Sequence, residues 1–198
     1  MRTLLRLVVV VLAIVGASAL SVGLMFWVGG ISAQRAPGFL EASLSPRLRS
    51  MMIPSAAKHT TNPVPASPQA VRAGMEHFAD HCAICHANDG SGDIEMGRHL
   101  YPRVPDMRQA ETQNLTDGEL FYIIENGVKL TGMPAWGGEH GGDASWKLVD
   151  FIRHMPKLTP DELKDMQRLN PRGPDEQDAD EFLKGGTPHE HKHGGDGK

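Results

Sequence analysis

Cysteine is nearly absent, with two among 198 residues. So few cannot form a disulfide framework, although 40% of the chain is apolar and its length suits one ordinary domain with additions. An excess of basic residues is also lacking. The formal net charge is −4, and without Arg2 and Arg6, which precede the first apolar run, 18 basic residues face 24 acidic ones, a balance of −6. This excludes the basic footprint of a nucleic-acid binder, so no nucleic-acid partner is expected. No Ser/His/Asp arrangement, carboxylate pair or phosphate loop stands out either, which speaks against an enzyme acting on its own. Charge is missing altogether from residues 7–31, and residues 32–66 show no sustained helical or strand period.

Both cysteines belong to Cys82-Ala83-Ile84-Cys85-His86. C-x-x-C-H is the attachment signature of a c-type haem, in which two thiols become thioethers and the adjacent imidazole becomes an axial ligand. A thioredoxin-like pair needs a βαβ setting and no following His, and a zinc site wants more Cys or His at partner spacing. The reading is one covalently attached haem c, held by Cys82, Cys85 and His86.

The uncharged run of residues 7–31 is long enough to cross a bilayer at ~20 residues per span. Arg2 and Arg6 with Ala17-Ser18-Ala19 also fit a cleavable signal peptide. The apolar character, however, continues through Leu20, Val22, Leu24, Met25, Phe26, Trp27 and Val28, past where such a peptide ends, and Trp27 is placed as an interfacial anchor. An uncleaved single span in the bacterial inner membrane is expected, with residues 1–6 cytoplasmic. Haem c is attached outside the cytoplasm, so the C-terminal part should face the periplasm.

Residues 32–66 carry Pro37, Pro46, Pro54, Pro63 and Pro65 and read as a tether. Within them Phe39, Leu40, Leu44, Leu48, Met51 and Met52 suit a short amphipathic helix on a membrane or a partner, or are incidental to a spacer. A domain of residues 67–157 follows. Ser67-Pro68 opens a helix that delivers Cys82, with Gly74 and Phe78 on one face for a close crossing. Residues 88–93 read as a loop and residues 96–108 as irregular chain over a flat cofactor, with Arg103 either pairing with a haem propionate or solvent-exposed. Thr116-Asp117-Gly118-Glu119 is a capping box, and the helix it starts ends near Asn126-Gly127. Asp143 opens a last core helix whose Leu148, Phe151, Ile152 and Met155 form a stripe to meet the Gly74/Phe78 face.

Ten methionines compete for the second axial position. Met75, Met155 and Met166 fall in helical patterns and read as packing residues, whereas Met96 and Met107 are rivals, and His99 and His140 offer bis-histidine ligation. Met133, in the stiff sequence Thr131-Gly132-Met133-Pro134-Ala135-Trp136-Gly137, is the expected ligand. Soft sulfur suits haem iron, and His/Met ligation raises its potential.

Residues 68–155 resemble a class I c-type cytochrome, similar to the mono-haem domains of cbb-type oxidase subunits and soluble carriers. The resemblance rests on Cys82-Ala83-Ile84-Cys85-His86, the Gly74/Phe78 pair, Gly132-Met133-Pro134-Ala135-Trp136, and the terminal helix with Trp146 and Phe151. It implies an all-α cytochrome c fold behind one N-terminal transmembrane helix. It also implies axial ligation by His86 and Met133, a first and last helix crossing at Gly74, Phe78 and Phe151, and a partly exposed haem edge for electron passage.

Residues 158–172 read as a short helical extension, capped by Thr159-Pro160-Asp161-Glu162 and stopped at Asn170-Pro171. Residues 173–198 form an acidic, His-rich tail, expected to be disordered. In an extended chain His189, His191 and His193 would point the same way and chelate a divalent transition metal; the alternative is a polar end with incidental histidines. The function expected is a membrane-tethered carrier of single electrons between redox proteins, favouring a basic partner face. Alternatives are the electron-accepting subunit of a dehydrogenase or reductase complex, and a haem sensor or metal-handling protein.

Overall fold

A computed structural model describes residues 2–30, 32, 33, 36–138 and 142–170. The described residues are all-helical, and the chain divides into two units, residues 1–36 and 37–198. The first is α1 (Arg2–Gly29), a 28-residue helix whose Arg2–Met25 portion is apolar enough to span a membrane. At 1.5 Å rise per residue it is about 40 Å long, which exceeds a bilayer's hydrocarbon core.

The second unit comprises α2 (Phe39–Met52), α3 (Ser55–Lys58), α4 (Pro68–His81), α5 (Ala83–His86), α6 (Glu95–His99), α7 (Ala110–Gln113), α8 (Asp117–Asn126), α9 (Gly142–His154), a 3₁₀ turn (Met155–Lys157) and α10 (Pro160–Leu169). Ser67 caps α4, its hydroxyl accepting from the Ala70 N–H at 3.1 Å, with Pro68 at the first helical position. Thr116 and Glu119 cap α8 reciprocally, and Thr159 and Glu162 do the same for α10.

The core forms where α4 crosses α9. A Cβ at Gly74 would stand 2.0 Å from the Lys147 carbonyl oxygen, so only glycine admits this approach. Phe78 and Phe151, both fully buried, meet beside it with ring centroids 5.3 Å apart. Leu148, Val149, Ile152, Met155 and Met75 fill the surrounding space, and Phe121 stacks on Trp146 at 4.0 Å.

One segment differs from its reading as a tether. Within residues 32–66, read from their prolines as a tether, the described chain is helical over α2, where the sequence also suited an amphipathic helix, and over α3. It is bonded to the domain by Tyr101 to Glu41 and again from Ser50 onward. Ser50 donates to Glu119 (3.1 Å), Thr116 donates to the Lys58 carbonyl (2.9 Å), and the Asn62 amide donates to Asp150 (2.9 Å) and to the Trp146 carbonyl (3.3 Å). Gly118 makes the docking possible, since a Cβ there would lie 1.9 Å from the Ala57 carbonyl oxygen. Prolines interrupt periodicity without preventing such polar clamps. The extension is likewise integrated: Met166 is fully buried, Arg72 pairs with Asp165 (2.7 Å), and His154 with Glu162 (2.7 Å).

Candidate haem site

The Cys-x-x-Cys-His stretch occupies the junction of α4 and α5. The Cys82 N–H donates to the Phe78 carbonyl (2.9 Å), ending α4, while the Cys82 carbonyl receives the N–H groups of Cys85 (3.1 Å) and His86 (2.9 Å). One helical turn therefore carries both sulfurs and the imidazole, and a two-residue spacer is what a turn of this size requires. Cys82 and Cys85 are half-buried. Burial, with Cys85 beside it, pushes the Cys82 thiol up to about 12.

His86 is buried, its ring 6.3 Å from that of Phe78. Its Nδ1 is enclosed without a hydrogen-bond partner, and burial lowers the imidazole to about 4. At neutral pH the ring is thus uncharged, the form that ligates a metal. A buried imidazole with an unsatisfied nitrogen costs stability unless something binds it. The donor set of two thiols and one neutral imidazole fits a covalent haem.

The following chain is held against this turn by backbone contacts. The Gly92 N–H donates to the His86 carbonyl (2.9 Å) and the Met107 N–H to that of Gly90 (2.8 Å). A Cβ at Gly97 would come within 2.4 Å of the Cys85 carbonyl oxygen, so α6 lies directly on the motif. The sequence suggested irregular chain over residues 96–108; α6 instead makes a short helix at its start. Arg108 then braces the loop, donating twice to Asp106 (2.8 and 2.9 Å) and once to Asp89 (2.7 Å). The guanidinium of Arg108 holds the Asp106 carboxyl down at about 2. Asn88 and Asn170 exchange bonds at 3.1 and 3.0 Å, tying the same loop to the end of α10. Sequence reasoning missed these groups. The Asp106/Arg108 spacing is a local signal, but Asn88 and Asn170 are 82 residues apart and carry none.

Met133 lies on a separate loop pinned to the end of α8. Trp136 and Gly137 donate backbone N–H groups to the carbonyls of Ile124 (3.1 Å) and Glu125 (2.9 Å). Within the loop, the Met133 N–H donates to the Thr131 hydroxyl (3.1 Å) and its carbonyl accepts from Val128 (3.2 Å). Gly127, at φ +64°, lets this loop approach, since a Cβ would stand 2.7 Å from the Pro134 carbonyl carbon. Met133 is half-buried, whereas Met107 packs against the core and Met96 and His99 are exposed. Arg103 is exposed. His140 and the tail histidines His189, His191 and His193 lie outside the described residues, as does all of residues 171–198.

Residues 69–152 match the family described as cytochrome c oxidase, cbb3-type, subunit III. The domain is a class I c-type cytochrome. It is 30% identical over 91 residues to the cbb3-type cytochrome c oxidase subunit FixPc of Rhizobium leguminosarum bv. viciae, an alignment covering 46% of this chain and 30% of that protein. Over 92 residues it is 33% identical to subunit FixP of Rhizobium meliloti (strain 1021), covering 46% and 29% of the two chains. The chain therefore spans less than a third of these curated relatives. A cytochrome c domain implies covalently bound haem c, and α1, which precedes it, is long and apolar enough to cross a membrane.

Proposed function

We propose that this protein is a membrane-tethered, periplasm-facing cytochrome that relays single electrons between redox proteins. The observation that carries the reading is the single helical turn holding Cys82, Cys85 and the buried, neutral His86 with an unpartnered ring nitrogen. When bound, haem supplies a one-electron iron couple. Cys82 and Cys85 would fasten it through thioethers, and His86 would supply one axial nitrogen.

Met133 is assigned as the second ligand, because its loop is braced by backbone bonds to α8 and, among the described residues, its rivals Met107, Met96 and His99 are used in packing or lie exposed. Were His86 and Met133 both to hold the iron, the chain would leave no position for a substrate, which is the property of a carrier. Arg103, which is exposed, is kept as a partner for a haem propionate, the alternative being a solvated cation. The acidic balance outside the N-terminal arginines favours a basic partner surface, with partner reduction slowing as salt rises.

Mass spectrometry of the mature membrane-fraction protein should report one added haem together with α1 retained. Met133→Ala should lose the thioether-to-iron charge-transfer band and let reduced protein bind carbon monoxide. An unchanged spectrum would assign the ligand elsewhere. A second reading, a subunit within an oxidase or related complex, is favoured by the names of the relatives. Co-purification with a catalytic polypeptide decides between them. For the tail we keep a metal site at His189, His191 and His193, which fails if deleting residues 187–198 leaves copper or zinc stoichiometry unchanged.

A further inference from the structure

Helix α2 is inverted relative to an ordinary surface helix. Its half-buried residues are Ser43, Pro46, Arg49 and Ser50, which share one face, and Ser50 on that face bonds Glu119 of the domain. The opposite face carries Leu40, Leu44, Leu48, Met51 and Met52, all 48–78% exposed. At 100° per residue these five fall within an arc of about 120°, the width of a core-facing stripe. None of the helix's residues is buried. The one acid inside the arc, Glu41, accepts a hydrogen bond from the Tyr101 hydroxyl. Arg47 stands exposed at the arc's edge. A contiguous apolar row of this kind marks an interaction surface.

The chain itself indicates what covers it. α1 ends at Gly29 and α2 starts at Phe39, leaving nine residues between them. Fully extended, these reach roughly 30 Å. A helix so tied to a membrane span stays within that reach of the bilayer, and an apolar face with a flanking arginine and a neighbouring tyrosine is the pattern that partitions into the interface.

We propose that α2 lies in the membrane interface on the side where α1 emerges, its Leu40/Leu44/Leu48/Met51/Met52 face inserted among the lipids and its opposite face carrying the cytochrome domain. The chain then holds the domain at a set orientation on the bilayer. Insertion of such a helix reaches about 5–10 Å into the headgroup and acyl boundary. The inference rests on α1 crossing the membrane.

The test uses the full-length holoprotein in vesicles of phosphatidylcholine and phosphatidylglycerol. With Cys82 and Cys85 taken up as thioethers, an introduced cysteine is the only thiol available for a spin label. Labels are placed singly by Leu12→Cys in α1, and by Ala42→Cys, Leu44→Cys and Leu48→Cys in α2. The expected result is an oxygen-to-nickel-chelate accessibility ratio several-fold higher at 44 and 48 than at 42, with the highest ratio at 12. Equal ratios at 42, 44 and 48 with a high ratio at 12 would overturn the interfacial helix and leave the anchor standing. A low ratio at 12 would overturn the anchor and the inference together. Dipolar broadening at 44 and 48 that disappears on dilution with unlabelled protein would assign the face to a second copy and reject lipid.

Discussion

Helices α2 and α9 have 14 and 13 residues, and each carries a row of large apolar side chains, but they face in opposite senses. In α9 Leu148, Val149, Phe151 and Ile152 are buried against α4, while in α2 the row from Leu40 to Met52 is exposed. The difference teaches that an apolar row specifies a face to be covered and leaves the covering open. α9 finds protein because Gly74 allows its backbone to come close. α2 is bound through polar groups, Ser50 to Glu119 and Tyr101 to Glu41, so its apolar face is left for another medium.

Breaking the α9 side of this comparison should have the largest effect. Phe151→Ala empties a fully buried position beside Phe78 and should cost about 3–5 kcal/mol, read by urea denaturation. A loss under ~1 kcal/mol would mean that the crossing is not the centre of stability. Gly118→Val attacks the joint between the two regions by forcing the segment around Ala57 off α8. The expected loss is about 1–3 kcal/mol, with faster proteolysis between residues 52 and 66.

Asp106→Asn tests the loop behind the haem motif. Arg108 depresses the folded carboxyl to about 2, so its stabilisation is complete above about pH 4–5 and is lost as pH falls from there towards 2. The pair is partly exposed, so we expect ~1 kcal/mol at neutral pH, and a flatter acid limb in the variant's pH–stability curve. Smallest of all, Leu48→Ser on α2 should change stability in detergent by no more than about 0.5 kcal/mol. A loss approaching that of Phe151→Ala would show that the α2 row is packed against protein after all.

The strongest local signals proved the most legible. Ser67-Pro68, both capping boxes and the Asn126-Gly127 stop predicted helix starts and an end that the structure reproduces, because caps are short-range hydrogen bonds among residues adjacent in sequence. Gly74 with Phe78 was legible as a crossing, since a glycine on an apolar helix face needs a reason. For the site, the spacing of Cys82, Cys85 and His86 announced a haem attachment, and the structure puts the three on one helical turn. That His86 would be enclosed with an orphan nitrogen was not readable, because α6 and its Gly97 supply part of the cover from further along the chain.

The sequence alone determined that two thiols and an imidazole form one haem-attachment motif, that a charge-free run precedes the domain, and where the capped helices begin. Each of these depends on neighbours within about four residues or on composition. Tertiary structure decided that residues 50–66 clamp onto α8 and α9, that Arg72 of α4 pairs with Asp165 of α10, and that α2 leaves its apolar row exposed. Those outcomes depend on which backbone carbonyls and side-chain donors meet across tens of residues, and periodicity carries no record of such meetings.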